Sequence, residues 1–337
     1  MNANKIIRSL CYFTQNPGQD TLQRLEHLSR KLQDKGFEIQ TQRICTKNLS
    51  IRELDEIFND DSLYLSVGCL TREEAKQQLG DFLAAKNVAF NLDLSNGILP
   101  DDVALLFDII HRKPEKTFSF TYIFQNAASS PYFPSANYES NGFAVGLQPT
   151  DLSKGCSLNH WFLNMKAVWD EIVELFRDTS DFLGIDSSIA PLFTGKSSFI
   201  HFIKELKGDF ESAVTTDVFL KITDFIEHNN PKPIGLCGIM LPCLEDFELA
   251  DEYEQGHFSI ERNIYLSLHS GLGIDTYPVG IDEDAARIFD ILSLLMGFAR
   301  KYHKPLSARF VSDGISKIGD KSSFKNQYLK DVVIRAL

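Results

Sequence analysis

The chain has 337 residues, a length that fits one large domain or two ordinary ones. Its composition, 43% hydrophobic and 24% charged, is typical of globular proteins. Its formal net charge is -12, and no basic run interrupts the acidic background. This argues against general affinity for nucleic acid or an anionic membrane, because both depend on clustered Lys and Arg.

Short β-branched or aromatic runs alternate with longer helical patterns along nearly the whole chain. The predicted strands cover residues 6–14, 38–46, 62–70, 88–95, 118–124, 142–148, 182–190, 234–242, 263–269, 306–312 and 330–336. The clearest predicted helices cover residues 20–36, 71–86, 100–113 and 282–304. Because a helix carries the chain back across a sheet, this alternation predicts parallel strand pairing.

About ten strands exceed a comfortable open sheet, so we expect a closed α/β barrel or two half-sheets. The absence of repeats, low-complexity segments and Gly/Ser linkers favours a single domain over residues 1–337. The least regular stretch, 125–141, is rich in Ser, Asn, Pro and aromatic residues. It suits a loop over a substrate pocket, and an ordinary surface excursion is an equal alternative.

No apolar stretch approaches the roughly 20 residues that cross a bilayer, and the opening letters MNANKIIRSLCYFTQ read as a strand rather than a leader. The six cysteines are scattered and form no CxxC pair. The sequence therefore carries no zinc-ribbon, iron–sulfur, haem or nicotinamide signature, and it predicts reduced thiols in a cytoplasmic protein.

In parallel α/β architectures ligands bind beyond the carboxyl ends of the strands. The polar residues at the predicted ends are Asp186, Ser187 and Ser188, then Glu245 and Asp246, then His269, Ser270, Gly271, Gly273, Asp275 and Thr276, and finally Arg309. In the densest group, 269–276, two glycines let the backbone turn tightly, and Asp275 could hold a metal or accept a hydroxyl. A tight turn capped by Asp275 is an equal alternative.

The other candidates also have structural alternatives. His269 alone is more often an interior histidine than a catalytic one. Glu245 and Asp246 are adjacent, so their side chains diverge, and capping of the helix that follows is a strong alternative for both. Arg309 lies inside an apolar strand, where an unpaired guanidinium would be costly to bury, so it should meet a carboxylate of the protein or of a ligand.

The stretch APLFTGKSSF, residues 190–199, is a relaxed form of the phosphate-binding P-loop. Its first glycine is replaced by Ala190, and Pro191 has no N–H to donate to a phosphate. We therefore predict no ATP site, but a strand-to-helix connection at the pocket rim, with Ser197 or Ser198 as the helix cap. Lys196 and the exposed N–H groups of the helix could still bind a small anion.

Several of these stretches together resemble a known family. GIDSSIAP, GIMLPCLED, GLGIDTYPVG, KPLSARF and GDKSSF occur in the same order in the family called domain of unknown function 711, whose members are often labelled PFL-like. The early IIRSLCYFTQNP and the central SPYFPSANY are also similar, so the resemblance covers nearly the full length. It implies the ten-stranded α/β barrel of the pyruvate formate-lyase superfold.

The resemblance implies no glycyl-radical chemistry, because the chain ends KDVVIRAL without a glycine motif and has no counterpart of the adjacent cysteines that relay the radical. The family has no settled activity, and fold analogy does not supply one. Family members have a cysteine at the position of Ser270. A thiol mechanism is therefore in doubt here, and the less acidic serine would need activation, for example by His269.

These residues predict an enzyme that binds a small anionic metabolite at the mouth of the barrel. Arg309 would hold a carboxylate or phosphate, and the catalytic candidates are Asp275, His269, Ser270 and Glu245. Further substrate contacts are expected from Asp186, Ser187, Ser188, Gly271, Gly273, Thr276 and Lys196. Asp275, Asp186 and Glu245 are the speculative ligands of Mg²⁺ or Mn²⁺. The alternative is a non-catalytic ligand-binding or assembly protein on a degenerate enzyme fold, and a homo-oligomer suits either hypothesis.

Overall fold

A computed structural model describes residues 4–58 and 62–337. The strands are β1 (Lys5–Phe13), β2 (Phe37–Ile39), β3 (Gln42–Cys45), β4 (Tyr64–Leu70), β5 (Val88–Asp93), β6 (Phe120–Phe124), β7 (Gly142–Leu147), β8 (Phe182–Asp186), β9 (Gly273–Pro278) and β10 (Leu306–Val311). The helices are α1 (Gln19–Gln33), α2 (Ile51–Phe58), α3 (Arg72–Gln77), α4 (Leu79–Ala84), α5 (Pro100–Arg112), α6 (Leu158–Leu175), α7 (Phe199–Lys207), α8 (Phe210–Ala213), α9 (Val218–Asn229), α10 (Phe247–Gln255), α11 (Ile260–His269) and α12 (Ala285–Tyr302). Short 3₁₀ turns cover Pro114–Ser119, Pro149–Leu152 and Gly195–Ser197.

These ten strands form one mixed sheet in the order β8-β7-β1-β3-β4-β5-β6-β10-β9, with β2 also paired to β1. From β1 to β6 all neighbouring strands are parallel. The pairs β7–β8 and β9–β10 are parallel as well, and they join the rest through antiparallel contacts of β7 with β1 and of β10 with β6. The predicted α/β class is confirmed, and two runs of opposite direction make up the sheet.

The ladders do not close this sheet into the predicted barrel, because it ends at β8 on one side and at β9 on the other. The connection 232–243 touches both edges through isolated bridges, which are Ile185 to Pro233, Ile189 to Ile239, Ile239 to Gly271 and Pro242 to Asp275. Gly235 and Cys237 have positive φ angles of 76° and 46°, which interrupt an extended backbone. The strand predicted over 234–242 is therefore absent as a regular element.

Two further predicted strands are wrong. Residues 263–269 belong to α11, whose N-cap Ser259 accepts a hydrogen bond from Arg262 N. Its buried residues recur at helical spacing, as Ile260, Asn263, Leu266 and Ser267. The strand of this region is β9, which begins at the second glycine, Gly273. Within the predicted strand 330–336, Val333 makes one isolated bridge to Lys321 and no ladder follows.

Strands in the middle of the sheet are buried on both faces, as every residue of β6 and β7 is. One continuous apolar cluster, which includes Trp161 and Trp169, joins helices to the sheet. The connection between β6 and β7 packs onto strands too, since Asn91 Nδ2 donates to Pro134 O and Ala136 O at 2.9 Å each. No helix within the described ranges is long and apolar enough to span a bilayer.

Candidate functional site

A cavity of about 310 Å³ lies among residues from both runs of the sheet. Its charged lining consists of Arg8 on β1, Arg43 on β3, Arg309 on β10, Asp275 on β9, and Glu245 just before α10. Its other walls include Tyr132, Phe133, Pro134 and Ser135 from the connection between β6 and β7, and Asn326 and Tyr328 from the C-terminal segment. Segments distant in sequence therefore enclose a charged space.

Arg309 is satisfied by carboxylates of the protein itself. Its Nε donates to Asp275 Oδ1 at 2.6 Å and its Nη2 to Glu245 Oε1 at 2.5 Å. Its Nη1 donates to Phe118 O at 3.2 Å. The sequence argument expected a carboxylate partner for this buried guanidinium, and the structure supplies two.

Glu245 also binds a second guanidinium, because its Oε2 accepts from Arg8 Nη2 at 3.1 Å. Arg8 Nη1 contacts Gln40 Oε1 at 3.4 Å. Burial raises the pKa of the Glu245 carboxyl, although the charges of Arg309 and Arg8 oppose that effect. A carboxyl held in this way can change its protonation state closer to neutrality than an exposed glutamate does.

Arg43 differs from the other two arginines, since it forms no ion pair within the described ranges. Its Nε donates to Thr41 Oγ1 at 3.0 Å. Its guanidinium carbon lies 5.7 Å from the ring centre of Tyr64 and 5.2 Å from that of Phe133. Burial, helped by the charge of Arg8, lowers its pKa to about 10, so it remains a cation at neutral pH.

Sequence reasoning missed both Arg8 and Arg43. Each lies in a strand that is otherwise largely apolar, in the letters IIRSLC and QRIC. The argument that singled out Arg309, that a guanidinium in an apolar strand needs a buried anion, applies equally to them. The three guanidiniums face two carboxylates on this cavity, which leaves one positive charge in excess.

The residues predicted near the end of β8, Asp186 and Ser187, lie outside the lining of the larger cavity and bind other groups of the protein. Asp186 is fully buried and accepts hydrogen bonds from Ser130 Oγ, from Ser188 N and Oγ, and from Leu236 N and Cys237 N, at 2.5 to 3.1 Å. Ser187 Oγ accepts from Asn230 Nδ2 at 2.9 Å. Burial raises the pKa of Asp186 while these bonds oppose it. This carboxylate ties the β8 end to residues 130 and 236–237.

Gly271 lies just before β9 and Gly273 is its first residue, and packing limits the side chain at both positions. Gly273 lines the cavity with a φ of 106°, and a Cβ there would clash with Ser307 O of the neighbouring β10. A Cβ on Gly271 would lie 3.2 Å from Ser267. Thr276 has a φ of 39°, and its buried Oγ1 has no hydrogen-bond partner among the described residues. Close approach of β9 to β10 therefore requires the second glycine.

His269 and Ser270 lie on a second cavity of about 240 Å³. His269 Nδ1 is 2.7 Å from Ser270 Oγ, and Thr223 Oγ1 is 3.5 Å from the same atom. Burial, followed by the nearby Lys304 charge, lowers the pKa of His269. Leu236 and Leu272 line both cavities, so the structure separates this pair from Glu245, Asp275 and Arg309.

The stretch that resembles a P-loop connects β8 to α7, and its Ala190 and Pro191 line the larger cavity. Ser198 is the N-cap of α7, as predicted. The predicted free N–H groups are already bound, because Phe199 N and Ile200 N donate to Asp246 Oδ2 at 2.9 and 3.2 Å. Lys196 Nζ lies 3.6 Å from Asp151 Oδ1, away from the cavity lining.

The three speculative metal ligands are not brought together. Glu245 and Asp275 share Arg309, whereas Asp186 binds backbone and hydroxyl groups elsewhere. Across residues 4–58 and 62–337, no group of three His, Cys, Asp or Glu side chains is arranged to hold a metal ion.

The fold and this cavity define an α/β protein with a buried pocket of net positive charge. Residues 163–325, slightly less than half of the chain, match the family described as Uncharacterised ACR (DUF711). The match confirms the resemblance inferred from the motifs. No curated protein matches the chain.

Proposed function

We propose that the chain is an enzyme that binds a small anionic metabolite, a carboxylate or a phosphate, in the larger cavity. The observation that carries the proposal is the excess of one guanidinium over the carboxylates on its wall. A buried positive charge without a partner favours an anionic ligand. The aromatic and hydroxyl groups around it suit a molecule of metabolite size.

Glu245 and Asp275 are the acid–base candidates of this proposal. Arg309 contacts one oxygen of each, which holds the two carboxylates beside the same space. The raised pKa of Glu245 supports proton transfer by this residue. Asp275 is oriented by a single strong contact and borders the cavity, so it is the second group that could exchange a proton with a bound molecule.

The alternative, a degenerate barrel that binds or assembles without catalysis, predicts a pocket filled by apolar packing. The larger cavity instead keeps open volume and oriented charged groups. This supports the enzyme over the alternative, because burying five charged side chains around a cavity destabilises a fold whose function does not require them.

The test is a screen of small carboxylates and phosphates for ligand-induced thermal stabilisation, followed by detection of turnover by NMR. A true ligand at a hundred times its Kd stabilises the fold by about 2.7 kcal/mol. We expect Glu245→Gln to retain some binding and lose turnover, and Asp170→Asn, an exposed acid on α6, to change neither. Failure of every compound to stabilise the protein would contradict the proposal.

A second candidate function belongs to the smaller cavity. The 2.7 Å contact between His269 and Ser270 has the geometry of a base and a nucleophile, and the lowered pKa of His269 favours the neutral imidazole that this role requires. In this hypothesis Ser270 Oγ attacks the carbonyl carbon of an ester while His269 takes the serine proton. The ester C–O bond then breaks as His269 gives that proton to the departing alcohol, and water hydrolyses the acyl-serine that remains. A fluorophosphonate should then label Ser270, and His269→Gln should suppress the labelling. Equal labelling of both proteins would contradict it.

We also infer that residues 232–243 complete a closed ring of strands. Ile239 pairs with Ile189 on the β8 side and with Gly271 on the β9 side, and all of these bridges are parallel. With this connection counted, five parallel segments would face the run from β1 to β6. The ring supports the resemblance to the pyruvate formate-lyase barrel, and an experimental structure in which 232–243 leaves either edge would contradict it.

A further inference from the structure

We propose that the ligand of the larger cavity is a monoanion whose carboxylate binds end-on to the two terminal nitrogens of Arg43. The inference rests on the proposed anion-binding function and names its substrate class. It assigns Arg43, rather than Arg309, as the group that recognises the anion.

The geometry of Arg43 leaves one edge of its guanidinium open. Its Nε is occupied by Thr41 Oγ1, whereas Nη1 and Nη2 make no hydrogen bond to any residue in 4–58 or 62–337. The residue is only 8% exposed and lines the cavity. Two parallel N–H groups on a planar fork match the two oxygens of a carboxylate.

The surroundings of Arg43 fix the direction of that edge. Tyr64 on β4 and Phe133 from the connection between β6 and β7 both lie within 6 Å of the guanidinium carbon. Arg43 itself lies on β3, and its Nε is held by Thr41 Oγ1. A rigid, oriented fork loses little freedom when it binds, which favours a defined ligand over a diffuse ion.

The charge count decides between a carboxylate and a phosphate monoester. Arg8 and Arg309 are both bound to Glu245, and Arg309 also binds Asp275, so the positive charge in excess resides at Arg43. One carboxylate neutralises it. A phosphate dianion would leave a buried negative charge, and a neutral molecule would leave the guanidinium unpaired, which are both unfavourable in an interior.

The body of the ligand would extend toward Glu245 and Asp275, which line the same cavity as Arg43. Glu245 and Asp275 are there with their guanidinium partners, together with hydroxyls such as that of Ser307 and the ring of Tyr328. A hydroxyl, amine or carbonyl group near the carboxylate could hydrogen-bond to them. The substrate class is thus a small polar monocarboxylate.

The experiment compares four probes of similar size, which are glycerate, glycerol phosphate, malonate and glycerol, by NMR-detected titration of the full chain. We expect saturable binding of glycerate and much weaker binding of the others. Arg43→Met should abolish glycerate binding. Arg43→Lys keeps the charge but loses the fork, and it should weaken binding about 10- to 100-fold. Arg30→Met, which removes an exposed arginine of α1, is the matched control and should bind like the wild type.

The stability of the unliganded proteins gives a second readout. Because Arg43 is a buried cation without a carboxylate, Arg43→Met should unfold at the same denaturant concentration as the wild type or a higher one. A clear loss of stability would assign Arg43 a structural role and overturn the inference. Binding of glycerol phosphate through Arg43 in preference to glycerate would overturn the carboxylate assignment and leave the proposed function standing. Binding of no anion would contradict both.

Discussion

Two adjacent residues, Glu245 and Asp246, are both buried carboxylates, and they face different parts of the molecule. Glu245 lies on the larger cavity between Arg8 and Arg309. Asp246 accepts from Ser198 Oγ at 2.6 Å and from backbone N–H groups at the start of both α7 and α10. One carboxylate is balanced by the charges of two guanidiniums, and the other by a hydroxyl and backbone N–H groups of the fold.

The same difference separates Asp275 from Asp186. Asp275 is held by Arg309, whereas Asp186 is surrounded by hydroxyl and backbone donors. Burial alone does not distinguish these acids. A carboxylate saturated by N–H groups has no lone pair to offer a ligand, so its role is to connect segments. A carboxylate paired with arginine on an open cavity can exchange partners when a charged molecule enters.

The largest loss of stability is expected for Asp246→Ala. It removes the acceptor for the first N–H groups of α7 and α10 and leaves these buried donors unpaired. We expect a loss of about 3 to 5 kcal/mol in the free energy of unfolding, measured with urea. Asp170→Ala, which breaks an exposed pair with Lys166, should cost no more than about 0.5 kcal/mol. A loss below about 1 kcal/mol for Asp246→Ala would mean that water replaces the carboxylate.

A smaller change in the free energy of unfolding is expected when the pH changes. Burial raises the pKa of Asp246 to about 6 although the hydrogen bonds of Ser198, Ile200, Phe199 and Leu249 oppose it. Between about pH 4 and 6 the folded chain therefore binds more protons at this site than the unfolded chain does, so its contribution to stability falls as pH rises. The stability of the wild type relative to Asp246→Asn should decrease by about 2 to 3 kcal/mol over this window.

The measurement is a series of urea unfolding curves for the two proteins at matched pH values. Asp246→Asn keeps an acceptor oxygen but cannot ionise, so the pH dependence shared with other groups cancels in the difference. A difference that stays constant would show that the donors around Asp246 outweigh its burial and keep its pKa near the ordinary value.

The sequence predicted the α/β class and most strands because their apolar runs are short and bounded by turn residues. It failed at 263–269, where Ile264, Tyr265 and Leu266 have the composition of a strand but Ser259 begins a helix. Local composition could not distinguish a strand from a helix at these residues. The capping pattern, with Ser259 three residues before Arg262, was the signal that could have done so.

The candidate site was predicted only in part. Asp275, Glu245 and Arg309, which the hypothesis placed together with Asp186, line one cavity in the structure, and their role in a functional site stays a prediction. His269 and Ser270 are only a few residues from Asp275, but the end of α11 and the turn at Ser270 put them on another cavity. Arg43 was missed although, like Arg309, it is a guanidinium in a largely apolar strand. Only the packing around the cavity shows that no carboxylate of the described ranges pairs with it.

The smallest effect is expected for Lys196→Ala. Lys196 is 42% exposed on its side chain, and its only ion pair in the described ranges, with Asp151, is 3.6 Å long. Asp151 keeps Gln148 Nε2 at 2.6 Å and Ser197 Oγ at 3.1 Å as donors without it. The N-terminus of α7 is already bound by Asp246, so no phosphate site depends on this lysine. Stability should change by less than about 1 kcal/mol, and glycerate binding should not change.

Calorimetry should detect no magnesium-dependent ATP binding to either protein. Saturable ATP binding that is lost in Lys196→Ala would mean that residues 190–199 are a P-loop after all.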